Sequence, residues 1–142
     1  MSGRSIQELT LGEKVQVTKT ITETDIAFYC AISGNFSPLY VDQAYAEGSR
    51  YGARIAPWGV PGGLMAPILG MHLPGLGSLA IESWTRHHEP VYIGDTITCT
   101  GELLEKDEAR NTVVIGFTMT NQNGAVVMTG GAYMMPPKKR HS

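Results

Sequence analysis

Cysteine is scarce in this chain: Cys30 and Cys99 are its only two, and no His or Cys stands beside either at metal-ligand spacing. A zinc site is therefore not expected, and nothing in the sequence calls for a cofactor. The chain also lacks a positively charged start followed by an apolar run. The expected setting is cytoplasmic, with two buried, unpaired thiols. Clustered basic charge is missing too, since 11 Lys and Arg face 13 Asp and Glu for a formal net charge of -2. That balance gives no electrostatic footprint for nucleic acid. The three consecutive basic residues of the PPKKRHS ending read as a solvated terminus. Long apolar runs are absent as well. The longest stretch, Val60 to Leu73, is broken by Pro61, Gly62, Gly63, Pro67 and Gly70 and is too short to span a bilayer. No internal repeat divides the 142 residues, of which 42% are hydrophobic, so one domain with one core is expected. Its ends, about 1–10 and 136–142, are expected to be mobile.

What is present is an ordered series of structural signals. From Lys14, Val15 and Val17 alternate with polar residues as in a short strand. Thr22 is a good helix N-cap with Asp25 placed to complete a capping box, and Gly34 supplies the left-handed residue that ends the helix. A loop from Asn35 to Val41 follows, then a second short helix from Asp42 to Glu47. Pro57 suits the first turn of a central helix running to Met71, apolar on most sides and kinked by Pro61 and Pro67. After Pro74-Gly75 the chain reads as strand: Ser78 to His88, Thr96 to Lys106, Thr112 to Asn121 and Ala125 to Met135. Asn123-Gly124 marks a hairpin between the last two. The order implies an α+β domain with one antiparallel sheet packed on helix.

At this point the chain resembles a known family. Ser33-Gly34-Asn35-Phe36-Ser37-Pro38-Leu39-Tyr40, then Asp42, then Tyr51-Gly52-Ala53-Arg54-Ile55-Ala56, is similar to the signature S-G-D-x-N-P-x-H-x-D, F-G-x-R-I-A-H-G of the MaoC-like (R)-specific enoyl-CoA hydratases. Leu73-Pro74-Gly75, Glu89-Pro90-Val91-Tyr92-Ile93-Gly94-Asp95 and Asn121 to Gly124 fit the same family in the same order. The match spans about Leu11 to Pro136. The resemblance implies a hot-dog fold, a five-stranded antiparallel sheet wrapped round a central helix, usually in a homodimer with an acyl-thioester tunnel at or near the subunit interface. It also implies a mechanism in which an Asp and a His activate water, while a backbone N–H at the start of the central helix polarises the thioester carbonyl.

The side chains of that mechanism are replaced. The motif Asp is Asn35, the motif Asn is Ser37, the motif His is Tyr40, and the His-Gly before the central helix is Pro57-Trp58. An amide is no Brønsted base, and a phenol is a proton donor at neutral pH. Loss of a positioned base removes roughly two to four decades of rate. Ordinary hydration should therefore be slow. The N–H of Trp58 remains at the expected helix start, where it can still polarise a carbonyl.

Asn35, Tyr40 and Trp58 are thus the candidate catalytic residues, and each has a bland counterpart. Asn35 and Tyr40 either form a decayed site or a rebuilt one that binds substrate without a strong base. Trp58 either packs or covers a substrate, with packing slightly favoured. Phe36, Ser37, Asp42, Glu82 and His87 are candidate substrate-binding residues. Asp42 can instead cap the following turn. His87 is a buried structural His or a pocket base, His88 points the opposite way along its strand, and Glu82 is a comparable candidate. His72 should be remote, and Arg86 can meet a phosphate or simply be solvated.

Three functions follow. The leading one is a divergent lyase or isomerase, including a cyclase, acting on a small-molecule, CoA-bound or carrier-protein-bound acyl group. A thioesterase would need Asp42 or Glu82 in the tunnel. A non-catalytic acyl-binding or dimer-partner subunit would lack a cavity beside Asn35 and Tyr40.

Overall fold

The computed structural model describes residues 3–139. Five strands, β1 (Lys14–Thr20), β2 (Leu79–His87), β3 (Thr96–Asp107), β4 (Thr112–Thr120) and β5 (Val126–Met135), form one sheet in the order β1-β3-β4-β5-β2. All four pairings are antiparallel. Between β1 and β2 lie α1 (Glu23–Ser33), the short turns α2 (Pro38–Val41) and α3 (Gln43–Glu47), and the helices α4 (Gly59–Gly62) and α5 (Met65–Met71). This is the expected α+β architecture.

Local chemistry sets the boundaries. Thr22 caps α1 by accepting from the Asp25 N–H while the Asp25 carboxylate accepts from the Thr22 N–H, which satisfies two helix-end donors at once. Gly34 ends the helix at φ 75°, a conformation that costs glycine nothing. At the β4–β5 turn Gly124 has φ 78°, and the Asn121 side chain accepts from the N–H groups of both Asn123 and Ala125. The hairpin forms as expected, but Asn121 anchors it.

Alternation along β3 sends Ile97, Cys99 and Leu103 into the core. There they meet Ile115, Phe117 and Met119 of β4 and Ile68 of α5 in one buried cluster. Ile68 is fully buried, which stabilises the fold by about 1.5–3 kcal/mol. Gly101 makes its close approach possible, since a Cβ there would sit 2.9 Å from the Ile68 side chain. Helix and sheet are held in contact at this point.

Three expectations need correction. The central helix is two pieces, α4 and α5, because Pro61 and Pro67 remove two N–H donors from a segment that also holds Gly62 and Gly63. The expected loop from Asn35 to Val41 contains the turn α2, opened by Pro38 at its first position. The start of the chain is packed: Ser5, Ile6 and Leu9 are buried, Arg4 pairs with Glu13, and the Leu9 carbonyl accepts from Lys106. At the other end Pro136 is buried, and its carbonyl accepts from Asn111. Residues 140–142 of the basic ending lie outside the described residues.

Candidate active site

A cavity of about 280 Å³ opens where α2, α4 and the far end of β2 converge. Tyr40, Trp58 and His87 line it together with Tyr51, Glu89 and apolar residues that include Ile55, Pro61 and Met128. Residues 47 positions apart in sequence thus share one space.

Tyr40 is positioned through its backbone. Its N–H donates to the Ser37 carbonyl in the α2 turn, and its carbonyl accepts from Arg54 Nε at 2.8 Å. Arg54 also pairs with Glu23 of α1, and the Ile55 N–H donates to the Leu39 carbonyl. Segment 55–56 is in turn fastened to the turn before β3, where the Ala56 N–H donates to the Val91 carbonyl at 2.7 Å. The Tyr92 hydroxyl donates to the Tyr51 carbonyl. Three pieces of the inherited motif, 37–40, 51–56 and 91–92, therefore hold the Tyr40 backbone in place. Burial pushes the Tyr40 phenol above its ordinary 10.0, and nearby Tyr29, Cys30 and Tyr51 add smaller effects in the same direction. Tyr40 is accordingly a protonated donor at neutral pH. Among the described residues no side-chain hydrogen bond engages that phenol, and no buried polar side chain is left stranded. Tyr40 thus lines the cavity with its phenol unengaged by any side chain among the described residues.

Trp58 stands at the start of α4 with 57% of its surface exposed and lines the cavity. Its ring meets Tyr29 edge-on at 6.4 Å and His87 at 6.3 Å. A Cβ at Gly59 would collide with the Tyr29 ring, so glycine is what lets α1 close behind Trp58. Among the described residues the Trp58 N–H donates no backbone hydrogen bond. The α4 helix behind it has only four residues, and the helix dipole expected there is correspondingly short.

The remaining candidates stand elsewhere. Asn35 and Phe36 are exposed and Ser37 partly so. The Asn35 side chain accepts from the Ser37 N–H, the loop-turn role, and none of the three lines the cavity. Asp42 caps α3 by accepting from the Tyr45 N–H, and Glu82 is exposed on β2. Neither carboxylate reaches the cavity. His87 does, although it is exposed and not a buried structural His. His88 points away and bonds Thr129 Oγ1 at 2.8 Å, the alternation expected of adjacent strand residues. Arg86 and His72 are both exposed and away from the cavity. Tyr51 and Glu89 were legible only as motif letters, since nothing in their spacing aims them at Tyr40. Among the described residues no three His, Cys, Asp or Glu side chains group so as to hold a metal ion.

The family profile described as FAS1-like, dehydratase domain region, matches residues 10–130. The chain belongs to this dehydratase family. An (R)-specific enoyl-CoA hydratase of Rhodospirillum rubrum is 30% identical over 133 residues, covering 94% of this chain and 92% of the relative. Its counterpart in Aeromonas caviae is 29% identical over 133 residues, covering 94% and 99%. The solved R-hydratase PhaJ1 of Pseudomonas aeruginosa, in unliganded form, superposes with a TM-score of 0.90 at 32% identity, covering 96% of this chain and 88% of that one. The resemblance to MaoC-like hydratases and the hot-dog fold it implied are both borne out. As a member of the dehydratase family, the chain keeps the motif's framework around a cavity whose loop 35–40 supplies a phenol.

Proposed function

We propose that this protein binds an acyl thioester in the cavity beside Tyr40 and acts on it as a lyase or isomerase without the carboxylate–imidazole pair of its hydratase relatives. The observation that carries this reading is the Tyr40 phenol, held through its backbone, protonated at neutral pH and without a side-chain hydrogen-bond partner among the described residues. A thioester carbonyl placed there receives the phenol O–H, with the Trp58 N–H as a second donor. Stabilising an oxyanion in this way is a large part of enoyl-thioester chemistry. Relatives whose names specify enoyl-CoA, 3-hydroxybutyryl-CoA and 3-hydroxyacyl-[acyl-carrier-protein] support a thioester of this class. Reactions that suit such a site need little base strength: a double-bond shift, or a cyclisation that gains mainly from holding the chain in a reactive fold. Hydrolysis has no support from Asp42 or Glu82, which stand outside the cavity.

The assembly in this proposal is a homodimer through β2. That strand ends the sheet order and presents Leu79 and Ile81 with 66% and 53% of their surfaces exposed. An apolar edge of this kind is protected by pairing. Two free, buried thiols fit a cytoplasmic setting.

The purified protein should hydrate crotonyl-CoA far below the common enzyme median of roughly 10 per second. A turnover near that value, followed by loss of enoyl-thioester absorbance, would overturn the reading.

A further inference from the structure

The loop that carries the family's base holds neither carboxylate nor imidazole here, but the opposite wall of the same cavity carries an imidazole. His87 is the last residue of β2, paired in register with Met128 of β5. Alternation along the strand turns it into the cavity and turns His88 onto Thr129. Its ring lies edge-to-face against Trp58 at 6.3 Å and 74°, so the residue whose N–H is the second carbonyl donor also braces the imidazole. The other ionisable lining groups are placed differently. Tyr40 is held as a proton donor, the Tyr51 hydroxyl accepts from Arg50 at 2.6 Å, and Glu89 lies beyond the end of the strand. Around them the walls are largely apolar: Ile55, Ala56, Pro61, Val91, Val127 and Met128.

We infer that His87 is the proton carrier of this cavity and shuttles one proton between the α and γ carbons of an enoyl thioester held by Tyr40. The inference rests on the acyl-thioester reading above and deepens it. On a β,γ-unsaturated thioester the neutral imidazole takes a proton from the α carbon. The electrons of that C–H bond move into a dienolate whose charge falls on the thioester oxygen, where the Tyr40 O–H donates. The imidazolium then returns the proton to the γ carbon, the double bond comes to rest between the α and β carbons, and His87 is neutral again. Nothing is oxidised or reduced and no water is consumed. Imidazole is the side chain best suited to taking and returning a proton near neutral pH, and one base on one wall suffices.

The test is conversion of 3-butenoyl-CoA to crotonyl-CoA by the full-length protein in D2O, with enoyl absorbance giving the rate and mass spectrometry the deuterium gained. The wild type should form crotonyl-CoA, with deuterium at the γ carbon only in the fraction of turnovers in which the imidazolium exchanges its proton with solvent before returning it. His87→Gln should lower kcat by roughly a hundred- to ten-thousand-fold with KM changed only a few-fold, and His88→Gln should match the wild type. If His87→Gln retains full turnover while Tyr40→Phe or Glu89→Gln loses it, His87 is not the carrier and the acyl-thioester reading stands. If the wild type binds crotonyl-CoA but neither isomerises 3-butenoyl-CoA nor exchanges its protons, the shuttle alone falls. If it binds no acyl-CoA, both fall together.

Discussion

Replacing Tyr40 by Phe takes one oxygen from the cavity, and the structure sets what that should cost. The ring packs against the core cluster, and Phe keeps those contacts. The phenol has no side-chain hydrogen-bond partner among the described residues, so its loss orphans no buried group. Stability should therefore hold within about 0.5 kcal/mol, as for a substitution that touches no packing or network. Catalysis should not be spared. One hydrogen bond to developing negative charge contributes about 1.5–3 kcal/mol, which corresponds to roughly 10- to 160-fold in rate at 1.36 kcal/mol per decade. A phenol is protonated throughout the neutral range and burial moves this one further up, so the loss should not vary with pH there. The assay pairs urea unfolding with kcat/KM on 3-butenoyl-CoA or another thioester that the protein turns over. An unchanged rate in a folded Tyr40→Phe variant would show that the ring only fills space, and the carbonyl-polarising mechanism would have to be abandoned.

Two further predictions concern assembly and pH. Ile81→Lys puts a charge on the exposed edge of β2 and should convert a micromolar dimer to monomer in sedimentation velocity; a wild type that is itself a stable monomer would refute edge pairing. Burial pushes the Cys99 thiol from 9.0 up to about 12, so between those values the unfolded chain has released a proton that the folded chain retains. The contribution is fully present below 9.0 and is lost as pH rises through that window, by up to about 1.4 kcal/mol per pH unit. Cys99→Ala should flatten that decline in urea unfolding at a series of alkaline pH values, and identical slopes in the two proteins would contradict it.

Local signals carried most of the fold. The Thr22–Asp25 capping box, Gly34, and the alternation of Ile97, Cys99 and Leu103 all act within a few residues, so a single sequence displays them. Ile6 and Leu9 were missed because their burial depends on tertiary packing, including the reach of Lys106 to the Leu9 carbonyl. The break between α4 and α5 was read only as a kink, since two prolines show where N–H donors are lost but not whether the helix survives. The site divides in the same way. Asp42 was legible as a cap because its partner is three residues on. The meeting of Tyr40, Trp58 and His87 depends on how β2 passes the α4 turn, and no local pattern encodes that. Asn35 was placed in the site by its motif position, but its side chain serves the loop through Ser37.

The most direct test of carbonyl polarisation is the infrared spectrum of a bound thioester. Crotonyl-CoA carrying ¹³C at the carbonyl, added to the wild type and to Tyr40→Phe, isolates that one stretch by isotope difference. The mechanism predicts a carbonyl band at lower frequency in the wild-type complex than in water, with most of that displacement lost in Tyr40→Phe. A band in the wild-type complex at the same frequency as the free thioester in water, under saturating binding, would contradict it.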